Sequence, residues 1–411
     1  MMVLPYEILG MDEKGFILEK IPTFADPTAF PAGRRRQNPF RIVALALDRA
    51  LGDFAALVCY AASVKEQFDH AKLAVYFRND RPYKRDILSA CPHIDEIFEM
   101  TGTNSLPLDV MDRANSPTVG PPNYWYSVGW NCPHLLVTPS MATYGALTAF
   151  HQSARFRIPD ETVDEMGRFL VSAGVDPDRW FCVTHFREGV YWDRPSSPFR
   201  DPQPEAFEDL AHFVIDDLGG QVVRIGDPSM SQFPEREGLV DLTNIGAGRF
   251  SHHLFAISRA RFMLASNSGP GICGSAFGTP TAMVNNSGQH SVWNPTDAAM
   301  WCHILAPDGR RITHEVATKR EMYFSSALNH LRELGFEIQQ QSVAELKALA
   351  SLMQERTSET TSWRTQWHEG ASRARPNAFT VVAEPAEKAT YILFSDLAPG
   401  QGTIKLKNEP F

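Results

Sequence analysis

Short apolar runs recur along the chain and alternate with segments of helical periodicity. The runs at 41–47 (RIVALAL) and 72–77 (KLAVYF) are typical of strands that are buried on both faces of a sheet. Residues 54–68 between them carry apolar residues at helical spacing, and 85–91 predicts a second helix before a third short strand at 94–98. Strands that alternate with helices indicate βαβ units and a parallel sheet.

The same alternation begins again near residue 180. Strands are predicted at 180–185, 221–225, 262–265 and 281–284, and helices at 204–218, 250–259, 272–277 and 342–356. Residues 101–150, which are rich in Pro, Asn, Ser and aromatic residues, are expected to form long loops. Two such series predict an α/β protein with two Rossmann-like, doubly wound domains that face a cleft.

These patterns divide the chain into four parts. An irregular leader at 1–38 precedes an N-terminal Rossmann-like domain at 39–173, whose last helix is predicted at 160–173. A C-terminal Rossmann-like domain follows at 174–360. The remainder, 361–411, contains β-like runs and is expected to form a small β-rich tail.

Composition narrows the class of protein. Of 411 residues, 43% are apolar and 21% are charged, as in soluble globular proteins. The 26 Phe, 8 Trp and 10 Tyr are too much apolar area for a disordered chain. Thirty-nine basic against 48 acidic residues give a net charge of −9, which argues against a general nucleic-acid binder.

The cysteines and the apolar runs indicate the cellular compartment in which the protein is expected. Six scattered cysteines form no CxxC pair, so we expect reduced thiols, no zinc site and no redox motif. The first residues resemble no secretory leader, and no run of about 18 apolar residues predicts a membrane span. The expectation is a cytoplasmic protein without a metal or a cofactor. The basic run 34–36 is a solvated loop or a contact with an anionic lipid or acceptor.

The first candidate for chemistry follows the strand at 41–47. Gly52 lets the backbone approach a ligand closely. Asp53 lies at the start of a helix, where the helix dipole favours a carboxylate. Asp53 is therefore either a simple helix N-cap or a general base at the cleft.

The second candidate is the Gly/Ser loop 266–271 between a predicted strand and a predicted helix. Free N–H groups at such a helix start make an anion site that suits a diphosphate. The alternative is a tight strand-to-helix turn. The loop contains Asn267, Ser268, Gly269, Pro270 and Gly271.

The third candidate is a set of residues that follow neighbouring strands. His185 and Arg187 come after one strand, Tyr191 and Arg200 lie downstream, and Arg224 ends the next strand. Arginine is suited to bidentate phosphate contacts, although each of these residues taken singly is as well explained by a surface ion pair.

Several other motifs are absent or weak. The chain has no GxSxG, HExxH or Walker A motif. His252 and His253 are adjacent, so on a helix they diverge by about 100° and suit one metal ion poorly. Tyr124, Trp125 and Trp130 either pack in the core or stack on an acceptor sugar.

Taken together, these segments resemble one family. A strand, the turn Leu51-Gly52-Asp53, a helix and the PHIDEIF stretch at 92–98 resemble the opening of the ADP-heptose:lipopolysaccharide heptosyltransferases. Residues 204–228 and 258–285, with the SNSGPG loop and GTP, resemble the second half of that family. The spacing of Arg187, Tyr191, Arg200 and Asp201 is also similar to a less characterised bacterial group of glycosyltransferases.

The resemblance implies a GT-B fold and a nucleotide-sugar donor bound by the second domain. It implies inversion at the anomeric carbon by an Asp base, and Asp53 occupies that position. The family's Asp in D-S-G is Asn267 here, so the donor need not be ADP-heptose. The expected substrate contacts are Gly52, His185, Arg187, Tyr191, Arg200, Arg224, Asn267, Ser268, Gly269, Pro270 and Gly271.

The leading hypothesis is an inverting, metal-independent glycosyltransferase of bacterial glycan or glycoconjugate synthesis. The acceptor would be a glycan, a lipid-linked saccharide or a protein, with peripheral contact at the inner face of the cell membrane as an open possibility. Two alternatives remain: a nucleotide-sugar epimerase or hydrolase on the same fold, and a non-catalytic nucleotide-binding subunit.

Overall fold

The computed structural model describes parts of two α/β units. The described residues are 8–12, 15–18, 41–46, 50–66, 70–100, 135–137, 155–188, 199–243, 249–286, 296–320, 322, 325–358, 380–382 and 391–393. Tertiary contacts divide the chain into Met1–Arg157 and Ile158–Phe411. The basic run 34–36 and the aromatic residues 124, 125 and 130 lie outside the described residues.

The first unit contains one parallel sheet. Its elements are β1 (Ile8–Asp12), β2 (Gly15–Leu18), β3 (Arg41–Ala46), α1 (Leu51–Lys65), β4 (Lys72–Arg78), α2 (Tyr83–Ser89), β5 (Glu96–Met100) and β6 (Leu135–Val137). β1 and β2 form an antiparallel pair, and the other strands form a four-stranded sheet in the order β5-β4-β3-β6. Every residue of β3 is buried, as its continuous apolar run predicts.

The position of β3 in that sheet bears on Asp53. β3 pairs in parallel with β4 on one side and with β6 on the other. The chain thus moves outward from β3 in both directions, and ligands of open α/β sheets bind where the strand order reverses in this way. Asp53 lies in the first turn of α1, which follows the carboxyl end of β3.

The second unit is built around a larger sheet. Its elements are α3 (Asp160–Ser172), β7 (Phe181–His185), α4 (Pro204–Asp216), β8 (Gln221–Arg224), β9 (Leu239–Asp241), α5 (Phe250–Arg259), β10 (Phe262–Ser266), α6 (Gly269–Phe277), β11 (Thr281–Asn286), β12 (Ala298–Trp301), β13 (His303–Leu305), α7 (His314–Lys319), α8 (Ser325–Glu333), β14 (Glu337–Gln339), α9 (Val343–Arg356), β15 (Thr380–Val382) and β16 (Tyr391–Leu393).

The strand order of this sheet is that of a doubly wound fold. The eight strands lie in the order β16-β15-β12-β11-β10-β7-β8-β9. From β9 to β12 this is the Rossmann order 3-2-1-4-5-6, with all neighbours parallel. β7 and β10 are neighbours although a long stretch of chain separates them, so the switch point lies between their carboxyl ends. The predicted α/β class with parallel sheets is confirmed.

Apolar side chains on one face of this sheet form the main core. Cys182, Val222, Phe262 and Leu264 on the strands pack in one cluster with residues of α4 and α9. The helix residues of this cluster include Phe207, Leu210, Val214, Leu346, Leu349 and Met353. Burial of this face fixes α4 and α9 against the sheet, since the apolar area removed from water is the main stabilising term.

Several elements differ from the prediction. α3 packs against α5 in the second unit, whereas the sequence division at residue 173 placed it in the first domain. β12 was not predicted at all. The described strands of the tail do not stand apart from the second unit, because β15 pairs in parallel with β12 and β16 pairs with β15. α6 begins at Gly269 rather than at 272, with Pro270 in its first turn, a position that suits proline.

Five cysteines lie among the described residues. Cys59, Cys91, Cys182, Cys273 and Cys302 are buried thiols outside any disulfide. Burial raises the pKa of the Cys91 thiol to about 12, so it is protonated at neutral pH. Within the described ranges, no helix has both the length and the apolar character that crossing a bilayer requires.

Glycine lets α6 lie close against the sheet. A Cβ at Gly271 would lie 3.1 Å from Met283 Cε and 3.2 Å from Ala265 Cβ. A Cβ at Gly274 would approach Thr281 Oγ1 and would lie 2.9 Å from Met263 Sδ. Both glycines therefore face the strands, and their role is close helix–sheet packing.

We expect Gly274→Ala to destabilise the protein by about 1–3 kcal/mol, because the strand side chain of Thr281 cannot move aside without cost. Gly167→Ala in α3 is the matched control: its Cβ would meet only Phe255 Cζ, at 4.0 Å. Alanine there should stabilise the helix by about 0.5–1 kcal/mol. Urea unfolding of both variants measures the difference, and equal effects would contradict this account of α6.

A buried carboxylate fixes the start of α9. Ser342 caps the helix and Glu345 completes the capping box. His303 Nε2 lies 2.6 Å from Glu345 Oε1, and Arg311 donates to His303 Nδ1 at 2.6 Å. Because arginine has only donors, the His303 proton sits on Nε2 and is donated to Glu345.

This arrangement makes stability depend on pH. Burial alone raises the pKa of Glu345, but hydrogen bonds from His303 and from the N–H of Ser342 outweigh it and lower that pKa below its usual value of 4.5. A carboxylate with a lowered folded-state pKa contributes stability above its unfolded pKa and loses it as pH falls through the folded pKa.

We expect Glu345→Gln to cost about 1.5–3 kcal/mol at pH 7, the usual value of hydrogen bonds to a charged group. The difference from wild type should shrink as the pH falls below 4.5. Glu355→Gln, an exposed change on the same helix, is the control and should show no such trend. Thermal unfolding between about pH 3 and 7 tests this, and a constant difference for Glu345→Gln would contradict it.

Candidate functional site

The switch point of the second unit brings two predicted segments into contact. His185, the last residue of β7, lies beside Ala265 of β10 in the sheet. Its Nδ1 is 2.8 Å from the hydroxyl of Ser268, which follows β10. The backbone N–H of Arg187 donates to Ser266 Oγ at 2.8 Å. The loops that follow β7 and β10 are thus joined side by side at the sheet's carboxyl edge.

His185 is neutral in this position. Its side chain is buried, and burial is the main cause that lowers the pKa of His185 to about 3, with further lowering by His253 and Arg224. A neutral imidazole carries one proton, so His185 offers one donor and one acceptor nitrogen. Charge at the switch point therefore does not come from this residue.

The N-terminus of α6 faces the same edge. Ser268 is the N-cap residue with extended backbone angles, φ −147° and ψ 162°, and no side chain caps the helix. The first N–H groups of a helix have no partner within it, and Pro270 has no N–H at all. Gly269 and Gly271 therefore carry backbone donors at a helix end, the arrangement that favours an anion.

The side chain of Arg200 is hydrogen-bonded to the backbone of the same loop. Arg200 Nη2 donates to the carbonyl of Asn267 at 3.1 Å. Asn267 Nδ2 in turn donates to Asn286 Oδ1 at 2.8 Å, and Asn286 is a buried residue at the carboxyl end of β11. The amide at position 267 is thus used in pairing with a second amide.

Arg187 is partly balanced by an acidic neighbour. Its Nη1 lies 3.5 Å from Asp201 Oδ1, in an ion pair at the half-buried rim. Gln340 Nε2 donates to the backbone carbonyl of Asp201 at 2.8 Å and fixes this corner. Tyr191 lies outside the described residues, so its predicted contact stays a prediction.

Arg224, the last residue of β8, is buried. The side chain is only 2% exposed and packs over the Phe233 ring at 4.1 Å. Its Nη1 lies 2.7 Å from Asp241 Oδ2 and its Nη2 lies 3.5 Å from Glu188 Oε1. Its guanidinium is balanced by two carboxylates, so its described contacts are those of a buried structural cation, and the phosphate contact expected of it stays a prediction.

We expect Arg224→Met to destabilise the protein by about 3–5 kcal/mol, since it leaves Asp241 and Glu188 without their cation in a poorly solvated place. Arg236→Met is the matched control, because the Arg236–Asp216 pair is 32% and 53% exposed and is worth about 0–1 kcal/mol. Denaturant unfolding distinguishes the two, and a small loss for Arg224→Met would contradict the structural role.

In the first unit, Asp53 is an exposed residue in the first turn of α1. The N-cap is Ala50, which has no side chain able to cap, so the alternative that Asp53 is the cap is wrong. Gly52 lies beside it in the same turn and is half-buried. A carboxylate in the first turn of a helix is stabilised by the helix dipole.

The two adjacent histidines of α5 serve separate purposes. His252 stacks on Phe169 of α3, with ring centroids 3.8 Å apart. His253 Nε2 lies 3.4 Å from the carbonyl of Leu242, and burial lowers its pKa to about 4. Within the described part of the chain, no three His, Cys, Asp or Glu side chains cluster in a way that could hold a metal ion.

Sequence reasoning assigned no role to three residues of this region. They are Glu188, Asp241 and Asn286. Two of them end a strand of the parallel sheet, where a polar residue after an apolar run marks the ligand-binding edge. Glu188 instead follows β7 in a loop, and only its contact with Arg224 reveals its role.

Comparison with known proteins finds similarity only among solved structures. No protein-family model matches the chain, and no curated protein matches it. Glycosyl transferase family 9 from Veillonella parvula matches with a TM-score of 0.46 and 14% identity, over 78% of this chain and 99% of that one. E. coli ADP-heptose LPS heptosyltransferase II matches with a TM-score of 0.46 and 12% identity, over 78% and 100%.

An E. coli heptosyltransferase with ADP matches with a TM-score of 0.35 and 13% identity, over 75% of this chain and 99% of that one. These neighbours are proteins of the kind that the motifs at 204–285 resemble.

Proposed function

We propose that the protein is a glycosyltransferase that takes a sugar from a nucleotide-sugar donor, whose diphosphate is bound at the switch point of the second unit. The observation that supports this most is the meeting of β7 and β10, which puts His185 beside Ser268 at the start of α6. Ligands of doubly wound sheets bind at such a point, and a helix N-terminus there favours phosphate.

The chemistry follows from where charge develops. As the bond between the donor sugar and the diphosphate breaks, negative charge grows on the leaving diphosphate. The N–H groups at the start of α6 are already oriented, so they need no reorganisation to stabilise that charge. Arg187 and Arg200 at the same edge add positive charge. Losing one such contact typically costs about 2.7–4 kcal/mol in the barrier.

The proposal assigns the general base to Asp53. Its carboxylate is exposed in the first turn of α1, where the helix dipole favours a negative charge. It would accept the proton of the acceptor hydroxyl as that oxygen attacks the anomeric carbon, with inversion. We propose a GT-B fold of two Rossmann-like domains as the framework for this step, with the boundary at 157/158 where tertiary contacts divide the chain, and the β-rich segment 361–411 as an extension of the second domain.

The wider context rests on the resemblance alone. A glycan, a lipid-linked saccharide or a protein as acceptor, a role in bacterial envelope polysaccharide synthesis and a cytoplasmic place at the inner face of the membrane stay predictions. The same holds for the absence of a metal and a cofactor.

We expect Asp53→Asn to lower kcat for sugar transfer by about 10²–10⁴-fold, the usual contribution of a general base. Glu205→Gln is the matched control, because Glu205 is also an exposed acid in the first turn of a helix, α4. Both variants lose the same interaction with the helix dipole, about 0.3–1 kcal/mol. A difference in kcat between them therefore reports a catalytic role of Asp53.

The assay measures nucleoside diphosphate release from ADP-, GDP-, UDP- and dTDP-sugars, with and without a panel of saccharide and lipid-linked acceptors. Undiminished turnover by Asp53→Asn would overturn its assignment. Rapid release of free sugar or of an epimer without any acceptor would favour the hydrolase or epimerase, and binding without turnover would favour the non-catalytic subunit.

A further inference from the structure

The serine that precedes α6 does not do what a serine in that position usually does. Serine is among the most frequent N-cap residues because its hydroxyl accepts a hydrogen bond from the N–H of the second or third helical residue. Ser268 has the extended backbone of an N-cap, yet its side chain makes no capping bond. Its hydroxyl lies 2.8 Å from His185 Nδ1 instead.

Only one backbone donor is in question. The second helical residue is Pro270, which has no N–H, so the third, Gly271, carries the N–H that Ser268 would cap. Close packing of Gly271 against Met283 and Ala265 holds that part of the backbone in place. The direction of this N–H is thus set by the fold. Whether it has a partner depends on whether the Ser268 hydroxyl is oriented toward Gly271 or toward His185.

His185 is well placed to decide it. The ring is anchored by the pairing of β7 with β10 and is more than nine-tenths buried. Its second nitrogen, Nε2, has no partner among the described residues and is not one of the atoms shut off from solvent, so it can still reach a ligand. An open imidazole nitrogen beside an uncapped helix start indicates a polar ligand at this place.

We propose that His185 is a positioning residue that holds the Ser268 hydroxyl away from the Gly271 N–H and so keeps this donor available for a diphosphate oxygen of a nucleotide. The inference rests on the proposed function, which supplies the nucleotide. It adds that the diphosphate and the Ser268 hydroxyl compete for the N–H of Gly271. The hydrogen bond between His185 and Ser268 decides this competition in favour of the diphosphate.

This competition predicts how nucleotide binding differs among variants of His185 and Ser268. In His185→Ala, Ser268 is released, rotates and caps Gly271, so nucleotide binding has to displace it. In the double variant His185→Ala/Ser268→Ala no hydroxyl is left to cap, and the N–H is open again. His185→Asn places an amide near the position of Nδ1 and retains the hold on Ser268. A second substitution that restores binding is not expected of a merely structural histidine.

The experiment is calorimetric titration of the full-length protein with ADP, GDP and UDP. We expect His185→Ala to bind about five-fold more weakly than wild type, which corresponds to an N-cap interaction of about 1 kcal/mol. The double variant should recover to within about two-fold of Ser268→Ala, and His185→Asn should bind within about two-fold of wild type, a gap of less than about 1 kcal/mol.

A second readout needs no ligand. Amide hydrogen exchange of a peptide covering 268–277, followed by mass spectrometry, should slow in His185→Ala because the Gly271 N–H gains a partner. It should not slow in Ser268→Ala or in the double variant, which serve as matched controls.

The outcomes separate the inference from the function on which it rests. If wild type binds none of the three nucleotides, the proposed function is overturned. If wild type binds one of them but the double variant binds no better than His185→Ala, or exchange at 268–277 is unchanged in His185→Ala, the role of His185 is overturned while the proposed function stands.

Discussion

The parallel pairing of β7 with β10 is the constraint on which the candidate site depends. These strands are adjacent in the sheet although His185 and Ser268 are 83 residues apart in sequence. Because both strands run in the same direction, their carboxyl ends meet at one edge of the sheet. The hydrogen bonds that join the two following loops, and the contact of His185 with the residue before α6, follow from that single pairing.

The buried ionisable groups of this region are either paired with an opposite charge or neutral. Arg224 is buried, but Asp241 and Glu188 compensate it, as a charge in a poorly solvated place requires. His185 is buried and neutral. At the same edge Arg187 is paired with Asp201 and Arg200 donates to the carbonyl of Asn267, while the N-terminus of α6 adds the positive end of a helix dipole.

Local patterns predicted most of the described elements and failed in recognisable ways. Continuous apolar runs located β3, β7 and β10 to within a residue or two, because strands buried on both faces need such runs. β12 has only four residues, Ala298–Trp301, and no flanking pattern to mark it. The start of α6 was placed too late because glycine and proline at 269–271 resemble a turn, while the packing of that turn against the sheet makes it helical.

By itself, the sequence determined the alternation of strands and helices, the α/β class and the rule that polar residues after strands are the candidates for binding. These are properties of near neighbours along the chain, where side-chain periodicity and turn chemistry act. Only the tertiary structure decided the strand order, the partners of Arg224 and the turning of Ser268 toward His185. Those depend on contacts between residues far apart in sequence, and a local pattern carries no information about which distant groups will compete for the same hydrogen bond.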